Sequence, residues 1–506
     1  MQKLIKSLKW IDDNLVHLAT IAFIFLTNLV PKYPISFVEY TYIRIRVDDI
    51  LPLILVAIFF IQWIRRKVHL NLRLLIPIVL FWIAVFGSFL YNHYINDPAT
   101  VPIFNIGFLH SARRVQYMAV FFVASSVIIS EKRFLQYLKI YFITLALIGL
   151  YGFGQKFIGL PSIQSMNPAY TDGRLLFLNA EDRINSLFGG HFDLAAYMTF
   201  SIPLVLGMFF YSKQKRYLLL FVLSLTILLY TAARSSFLAY LASTFPYLLL
   251  MRKFRIFAAV LVVTTVLLFV TGDMTKRFLQ TFQVKTVFIN EKTGAQQVDQ
   301  KISVKNLPAG TKAFKVPFGK TVLPTPTTSQ GQILVEAQRQ IAEEARRKGI
   351  YLSPEQVEKQ SRELAQFIKP KQMLLCDISC ATRLEVEWPR AIVAFRSNPI
   401  LGTGPSSITE ATDNDILRWL GETGLVGTLL FITILFLIAR YSFRLARIDK
   451  DKRHLFYGFI FGVIALLVNA LYVDVFEASK MAYNFWIVAG LIVGYYAFYE
   501  KRKKKT

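Results

Sequence analysis

Residues 194–232 read LAAYMTFSIPLVLGMFFYSKQKRYLLLFVLSLTILLYTA. Two apolar runs, 194–211 and 217–232, flank a short turn carrying Lys213, Lys215 and Arg216. A hydrocarbon core of about 30 Å takes about 20 apolar helical residues, so each run is close to one membrane span. A cationic turn between two spans belongs on the cytoplasmic side. This stretch therefore reads as a membrane helical hairpin and sets the pattern for the rest of the chain.

Outward from that hairpin, the same pattern recurs at 14–30, 50–64, 74–90, 115–130, 138–157, 236–251, 256–271, 424–441, 455–473 and 481–499. The expectation is an all-α polytopic membrane protein of about twelve spans. Composition agrees: 54% of residues are hydrophobic and only 18% charged, against about 25% charged in soluble proteins. Mean hydropathy is +0.44. The net charge of +26 would suggest nucleic acid in a soluble protein, but here Lys and Arg gather in alternate short loops and in the terminal KRKKK. That asymmetry predicts two cytoplasmic termini, and the charge is assigned to topology and lipid rather than to nucleic acid. The first span lacks a small-residue cleavage site and reads as an uncleaved anchor.

This orientation puts the long segment 273–423 outside, between a membrane domain at 1–272 and the last spans and basic tail at 424–506. An insert at about 284–370 reads as small and mixed α/β. Strands are expected at 285–290, 301–306 and 313–318, and helices at 331–348 and 354–368. Ser353, Pro354 and Gln356 form a capping-box start for the second helix. The remainder, about 383–423, is the candidate catalytic segment.

Several chemistries have no motif here. There is no G-x-x-x-x-G-K-[ST] and no H-E-x-x-H, and the six His are scattered, so no metal and no cofactor are expected. Cys376 and Cys380 form a C-x-x-x-C pair, either a local disulfide or two ordinary thiols.

Arginines instead mark the outer side: Arg44 and Arg46, Arg113 and Arg114, Arg183, Arg234, and Arg383, Arg390 and Arg396. Each placement opposes the positive-inside bias. Singly, such residues snorkel to lipid phosphates or pair with carboxylates. As a set they suit an anionic ligand, because the guanidinium fork matches phosphate. In RINSLFGGHFDLAAYM, Arg183 and His191 flank two glycines, and Asp193 is a possible helix cap whose exposed amides favour an anion. In RLEVEWPRAIVAFRSNPILGTGPSSITEATDNDILRWLGETGLVGTLLF, Arg383, Glu387 and Arg390 fall on one helical face. Asp413 is either a general base beside arginines or the cap of the next helix, with Asn414 beside it. Asp49, shortly after Arg46, is a second candidate for the base, secondary to a structural pairing with an Arg.

Those three segments, with TAARSSF around Arg234, resemble the O-antigen ligase and O-antigen polymerase family, over roughly 151–430. The resemblance implies many transmembrane helices with an external site, in the bacterial plasma membrane. It implies metal-independent, inverting transfer of a glycan from a polyprenyl diphosphate carrier to a lipid, glycan or protein acceptor. By motif position it makes Arg183 and Arg234 diphosphate ligands, with Asp413 and Asn414 at the acceptor. Ligases of the family usually carry His-Asn where this chain has Asp413-Asn414. Arg390, Arg383, Arg114, Arg46, His191 and Glu387 complete the expected substrate contacts. A polytopic transporter or lipid-linked glycan flippase is the alternative, although such proteins usually place polar residues near the midplane within repeated halves. A receptor or scaffold built on the insert is the third possibility.

Overall fold

A computed structural model describes residues 2–38, 41, 44–95, 104–165, 171–179, 182–279, 282–290, 296–298, 329–348, 352–376, 380, 382–409 and 411–503. The chain divides into two compact units. One is built from Met1–Phe278 and Glu387–Thr506, and the other from segments between Leu279 and Val386. Among the described residues the chain is mostly helical.

The larger unit begins with an amphipathic helix, α1 (Gln2–Asp13). Helices then follow at every expected apolar run: α2 (Leu15–Leu29), α3 (Val47–Ile64), α4 (Leu75–Ile95), α5 (Phe104–Ser126), α6 (Glu131–Phe157), α7 (His191–Ser212), α8 (Arg216–Tyr230), α9 (Arg234–Leu250) and α10 (Phe254–Thr271). A short helix, α11 (Asp273–Leu279), leads out of this bundle. Among the described residues, eight helices are long and apolar enough to cross a membrane, or up to nine if the bent pair at the N-terminus is one span. The unit is therefore that of a membrane protein. The expected dozen is not reached by length and composition alone. Helix α8 has 15 residues and α9 has 17, and α5 carries Arg113 and Arg114.

Two helix pairs lie unusually close. Along α7, a Cβ on Gly207 would sit 2.7 Å from the His454 carbonyl oxygen. Facing it, a Cβ on Gly458 would sit 2.5 Å from that of Pro203, and one on Gly462 2.7 Å from that of Phe200. Gly490 and Gly494 meet the carbonyls of Phe121 and Ser125 in the same way, at 2.6 and 2.5 Å. Small residues let backbones approach where lipid removes any hydrophobic gain from helix association. The partners here are α7 with α16 (Arg453–Ala470), and α5 with α17 (Ser479–Lys503). Helices α7 and α17 are almost wholly enclosed, with 89% and 94% of their apolar windows buried. They form the centre of the unit.

Two further helices complete it: α14 (Trp388–Ser397) and α15 (Asp415–Ile448). Helix α15 is broken at Gly424, where φ is 61° and ψ is −163°. The NPILGTGP loop fills the break. Leu425 N–H donates to the Pro399 carbonyl at 2.8 Å, and Thr403 N–H donates to that of Gly421 at 2.8 Å. Gly404 N–H donates to the Glu422 carbonyl at 2.9 Å. What reads in sequence as a helix breaker thus supplies hydrogen bonds that a kinked helix cannot make to itself.

In the smaller unit, β3 (Phe282–Asn290) pairs antiparallel with β4 (Gln296–Val298) and with β5 (Ile368–Cys376). Two short strands near the start of the chain, β1 (Pro34–Ser36) and β2 (Ile45–Arg46), form a separate ribbon in the larger unit. Helices α12 (Ser329–Lys348) and α13 (Pro354–Ala365) complete the smaller one. Its core joins Ala337 and Ile368 with Ile333, Leu364 and Ala365. The capping box forms: Ser353 N–H donates to Gln356 Oε1 at 3.0 Å, and Gln356 N–H to Ser353 Oγ at 3.3 Å. The mixed α/β character agrees with the sequence reading. The unit runs from Leu279 to Val386 rather than from about 284 to 370, and β5 was not anticipated. The strands expected at 301–306 and 313–318 lie outside the described residues.

Candidate active site

Two of the motif segments are tied to one hub, the C-terminal end of α16 and the turn beyond it, and the third joins next to one of them. From TAARSSF, Ser236 Oγ donates to Asn469 Oδ1 at 2.6 Å. Asn469 Nδ2 donates to Thr199 Oγ1 of α7 at 3.0 Å. From the late segment, Asn414 Nδ2 donates to the Leu471 carbonyl at 2.9 Å. The loop bearing Arg183 joins through Ile184 N–H, which donates to the Tyr230 carbonyl at 3.4 Å, just before TAARSSF.

Asp474 organises the Asp413 loop. Its Oδ2 accepts from the N–H of Thr412 at 2.9 Å and of Asp413 at 3.0 Å, and its Oδ1 from that of Asn414 at 3.1 Å. Asp413 adopts φ 49°, the left-handed region that Asp tolerates better than most residues. Three consecutive amides converging on one carboxylate hold that conformation. The half-buried Asp413 side chain therefore stands on a loop fixed through its backbone.

The helix cap is Asn414, not Asp413: Asn414 Oδ1 accepts from Leu417 N–H at 3.0 Å. With its oxygen and its amide nitrogen both engaged, Asn414 is structural, and its expected contact with an acceptor is withdrawn. Asp415 follows the same logic, because its Oδ2 accepts from Val475 and Phe476 N–H at 2.7 and 3.0 Å.

A buried ionic network lies beneath. Arg418 pairs with Asp474 at 2.8 Å and with Glu422 at 3.5 Å. Arg114 pairs with Glu477 at 2.8 Å and more tightly with Glu422. Buried charges persist only when so paired. Two guanidiniums face four carboxyl groups, those of Asp415, Glu422, Asp474 and Glu477, so no positive charge is left over for an anion. Arg114, expected to bind substrate, is therefore reassigned to structure.

Other expected residues also change place. Asp193 is not a cap. Gly190 occupies the cap position of α7, and Asp193 is buried against Lys32 at 3.5 Å. Burial pushes the Lys32 ammonium below the usual lysine range, and Asp193 opposes the shift. Arg46 is only 7% exposed and lies beside Arg113, Asp48 and Asp49, a poor position for a ligand contact. Asp49 does pair structurally, with Arg113 at 3.0 Å. Arg383 belongs to the smaller unit. The expected common face of Arg383, Glu387 and Arg390 is rotated, because Arg383–Glu387 form a π-helical turn before α14 starts at Trp388. Glu387 is buried.

Three of the expected ligand arginines remain, Arg183, Arg234 and Arg390. Arg183 Nη1 donates to His191 Nε2 at 2.6 Å. Arginine has no acceptor, so Nε2 accepts in this contact. Arg234 Nη1 donates to the Arg277 carbonyl at 3.2 Å, and Arg390 Nη1 to Thr409 Oγ1 at 3.4 Å. All three are partly exposed.

Sequence reasoning missed Asn469, Asp474, Glu477 and Lys480. Their signal was present: NALYVDVFEASK places amide, acid and amine directly after an apolar run. Lys480 Nζ donates to the carbonyls of Asn28, Val30 and Leu187 at 3.0, 2.7 and 2.6 Å, pinning α17 to α2 and to the Arg183 loop. No protein-family model and no curated protein matches this chain.

Proposed function

We propose that this protein transfers a glycan from a polyprenyl diphosphate carrier to an acceptor hydroxyl at a membrane face, as O-antigen ligases and polymerases do. In this reading both termini are cytoplasmic and the smaller unit is external. The observation that carries it is that TAARSSF and the late segment meet at the α16 end, with the Arg183 loop bonded to α8 just before TAARSSF and Asp413 held on a clamped loop. Arg183, Arg234 and Arg390 bind the diphosphate. Asp413 takes the acceptor proton as the acceptor oxygen attacks the anomeric carbon. The bond from that carbon to the phosphate oxygen breaks, and the diphosphate leaves with its pair of electrons and its added charge. Guanidiniums that bind this charge more strongly late than early accelerate the step. Arg114 and Asn414 act beneath the site, on its shape.

The test uses purified protein with a lipid-linked glycan donor and an acceptor, reading transferred product. Asp413→Asn keeps charge-free hydrogen bonding and tolerates the left-handed backbone, yet cannot take a proton. It is expected to fold and to lose about 100-fold or more in transfer. Arg183→Ala and Arg234→Ala are each expected to lose about 30-fold or more. Full activity in Asp413→Asn ends the base assignment, and full activity in both alanine variants ends the clamp. Movement of intact donor across the bilayer without transfer would favour a flippase.

A further inference from the structure

A cavity of about 550 Å³ lies at the far end of the helical unit, among the start of α2, the 67–73 loop, the end of α5 and the last turns of α17. Along α17 it is about 30 Å from Lys480, at 1.5 Å per residue. It is separate from the site above and does not rest on the proposed activity.

Its polar wall carries four cations beside one acid, Asp13. Lys67, Arg73, Arg133 and Lys501 line it. Two of these are spent: Lys67 on Asp12 and Asp13, and Arg73 on Glu500 at 2.5 Å. The acids in and around the cavity are thereby matched, Asp12 further by Arg65 at 2.6 Å. The other two are not spent. Arg133 donates to the neutral Asn14 Oδ1 at 2.8 Å, and among the described residues neither Arg133 nor Lys501 has a carboxylate within ion-pair distance. A third donor is also unused. Asn71 Oδ1 accepts from Arg73 N–H at 3.2 Å, but its Nδ2 is buried and has no partner. A buried donor left unmade costs stability unless something accepts from it.

The remaining wall is apolar, with Val68, Val127 and Phe498. Leu72 and Ile129, also lining it, are each 61% exposed. Unspent cations and an amide donor call for a ligand with several anionic acceptor oxygens, and the exposed apolar rim gives its hydrocarbon a place to lie. From this juxtaposition we infer that the cavity binds the phosphate headgroup of an anionic membrane lipid, with the acyl chains running over Leu72 and Ile129. Basic recesses between helix ends are suited to such headgroups.

The full-length protein in neutral detergent is titrated with phosphatidylglycerol, phosphatidylcholine or inorganic phosphate, and binding is followed by native mass spectrometry and by the thermal unfolding midpoint. Phosphatidylglycerol is expected to bind and to raise the midpoint, while phosphatidylcholine and millimolar inorganic phosphate leave it unmoved. Asn71→Asp keeps the oxygen that accepts from Arg73 and replaces the donor by a negative charge. Lys501→Gln changes an exposed side chain and leaves packing intact. Each is expected to weaken phosphatidylglycerol binding about fivefold. Equal response to phosphatidylcholine overturns the headgroup assignment. Saturable stabilisation by inorganic phosphate alone overturns the lipid in favour of a free anion. Unchanged phosphatidylglycerol affinity in both variants removes the ligand from this cavity.

Discussion

Asp474→Asn is the sharpest probe of the clamp. The native carboxylate accepts four hydrogen bonds, from three backbone amides and from Arg418 Nη2. An amide keeps one oxygen. The arrangement that loses least aims it at the three donors of Oδ2, namely Thr412, Asp413 and Arg418. The new NH₂ then confronts Asn414 N–H at a native separation of 3.1 Å, donor against donor. An unpaired buried donor costs about 1–3 kcal/mol. Weakening the charged bond to Arg418 adds about 1–2 kcal/mol, since hydrogen bonds to charged groups contribute about 1.5–3 kcal/mol and the neutral bond survives. Arg418 keeps Glu422 at 3.5 Å, which holds the sum to about 2–5 kcal/mol rather than the full cost of an orphaned buried charge. Unfolding is read by tryptophan fluorescence, with Trp419 buried one residue beyond Arg418 as the local reporter. Hydrogen exchange at 412–414 reads the loop itself and should accelerate. The double variant with Arg418→Gln should lose less than the sum of the two single losses, because both remove the same ion pair. An unchanged unfolding midpoint together with unchanged exchange at 412–414 would refute the clamp.

Gly424→Ala places a Cβ 2.3 Å from the Ile400 carbonyl oxygen in a left-handed backbone, so a loss of about 3 kcal/mol or more in unfolding free energy is expected. Gly87→Ala, with nothing within 4 Å of the added carbon, is the helical control and should be neutral or slightly stabilising. A tolerated Gly424→Ala would contradict the packing of NPILGTGP into the kink. At the other end, Arg65, Lys67 and Gln62 hold the Asp12 carboxyl well below its ordinary value of 3.8. A depressed carboxyl contributes its stability above the unfolded value and loses it as pH falls toward the folded one. Docking of α1 should therefore loosen below about pH 4, seen as faster proteolysis of residues 2–13. Asp12→Asn should show the same loosening at neutral pH, and identical cleavage of the two proteins at pH 7 would count against the latch.

The helices were legible because an apolar run long enough to fill a bilayer has few other readings. Their partners were not. Arg114 read as a cation before a span, yet its carboxylates, Glu422 and Glu477, are brought in by packing across the chain. A one-residue shift decided the cap. Asp413-Asn414-Asp415 offers three residues able to cap, and only the backbone places Asn414 at the start of α15 and Asp413 in the turn before it. The glycines of NPILGTGP read as a breaker and Gly424 as the start of a span, whereas the two segments pack on each other. A Cβ on Gly402 would meet Glu422 backbone carbon at 2.4 Å, just as one on Gly424 meets Ile400. Strand β5 escaped because Lys-Pro-Lys-Gln opens it with residues of low strand propensity, and its order comes from pairing with β3.

The ionic network narrows the question of where an anion binds. A carboxylate surrounded by free guanidiniums has its pKa lowered and is a weak base. Directly beneath the Asp413 loop, however, the guanidiniums of Arg114 and Arg418 are engaged by Glu422, Asp474 and Glu477. Arg183 and Arg234 come from other segments, whereas Arg390, bonded to Thr409, belongs to the same late segment as Asp413. The network therefore marks Arg114 and Arg418 as structural and leaves Arg183, Arg234 and Arg390 as the diphosphate contacts of the proposed mechanism. It also separates two kinds of damage. Substitution of Arg114 or Arg418 strands buried carboxylates and is expected to act on folding, whereas substitution of Arg183 or Arg234 leaves the network intact and is expected to act on transfer. A stable, inactive Arg183→Ala beside an unstable Arg114→Ala would carry that distinction, and the reverse pairing would place the anion over the network instead.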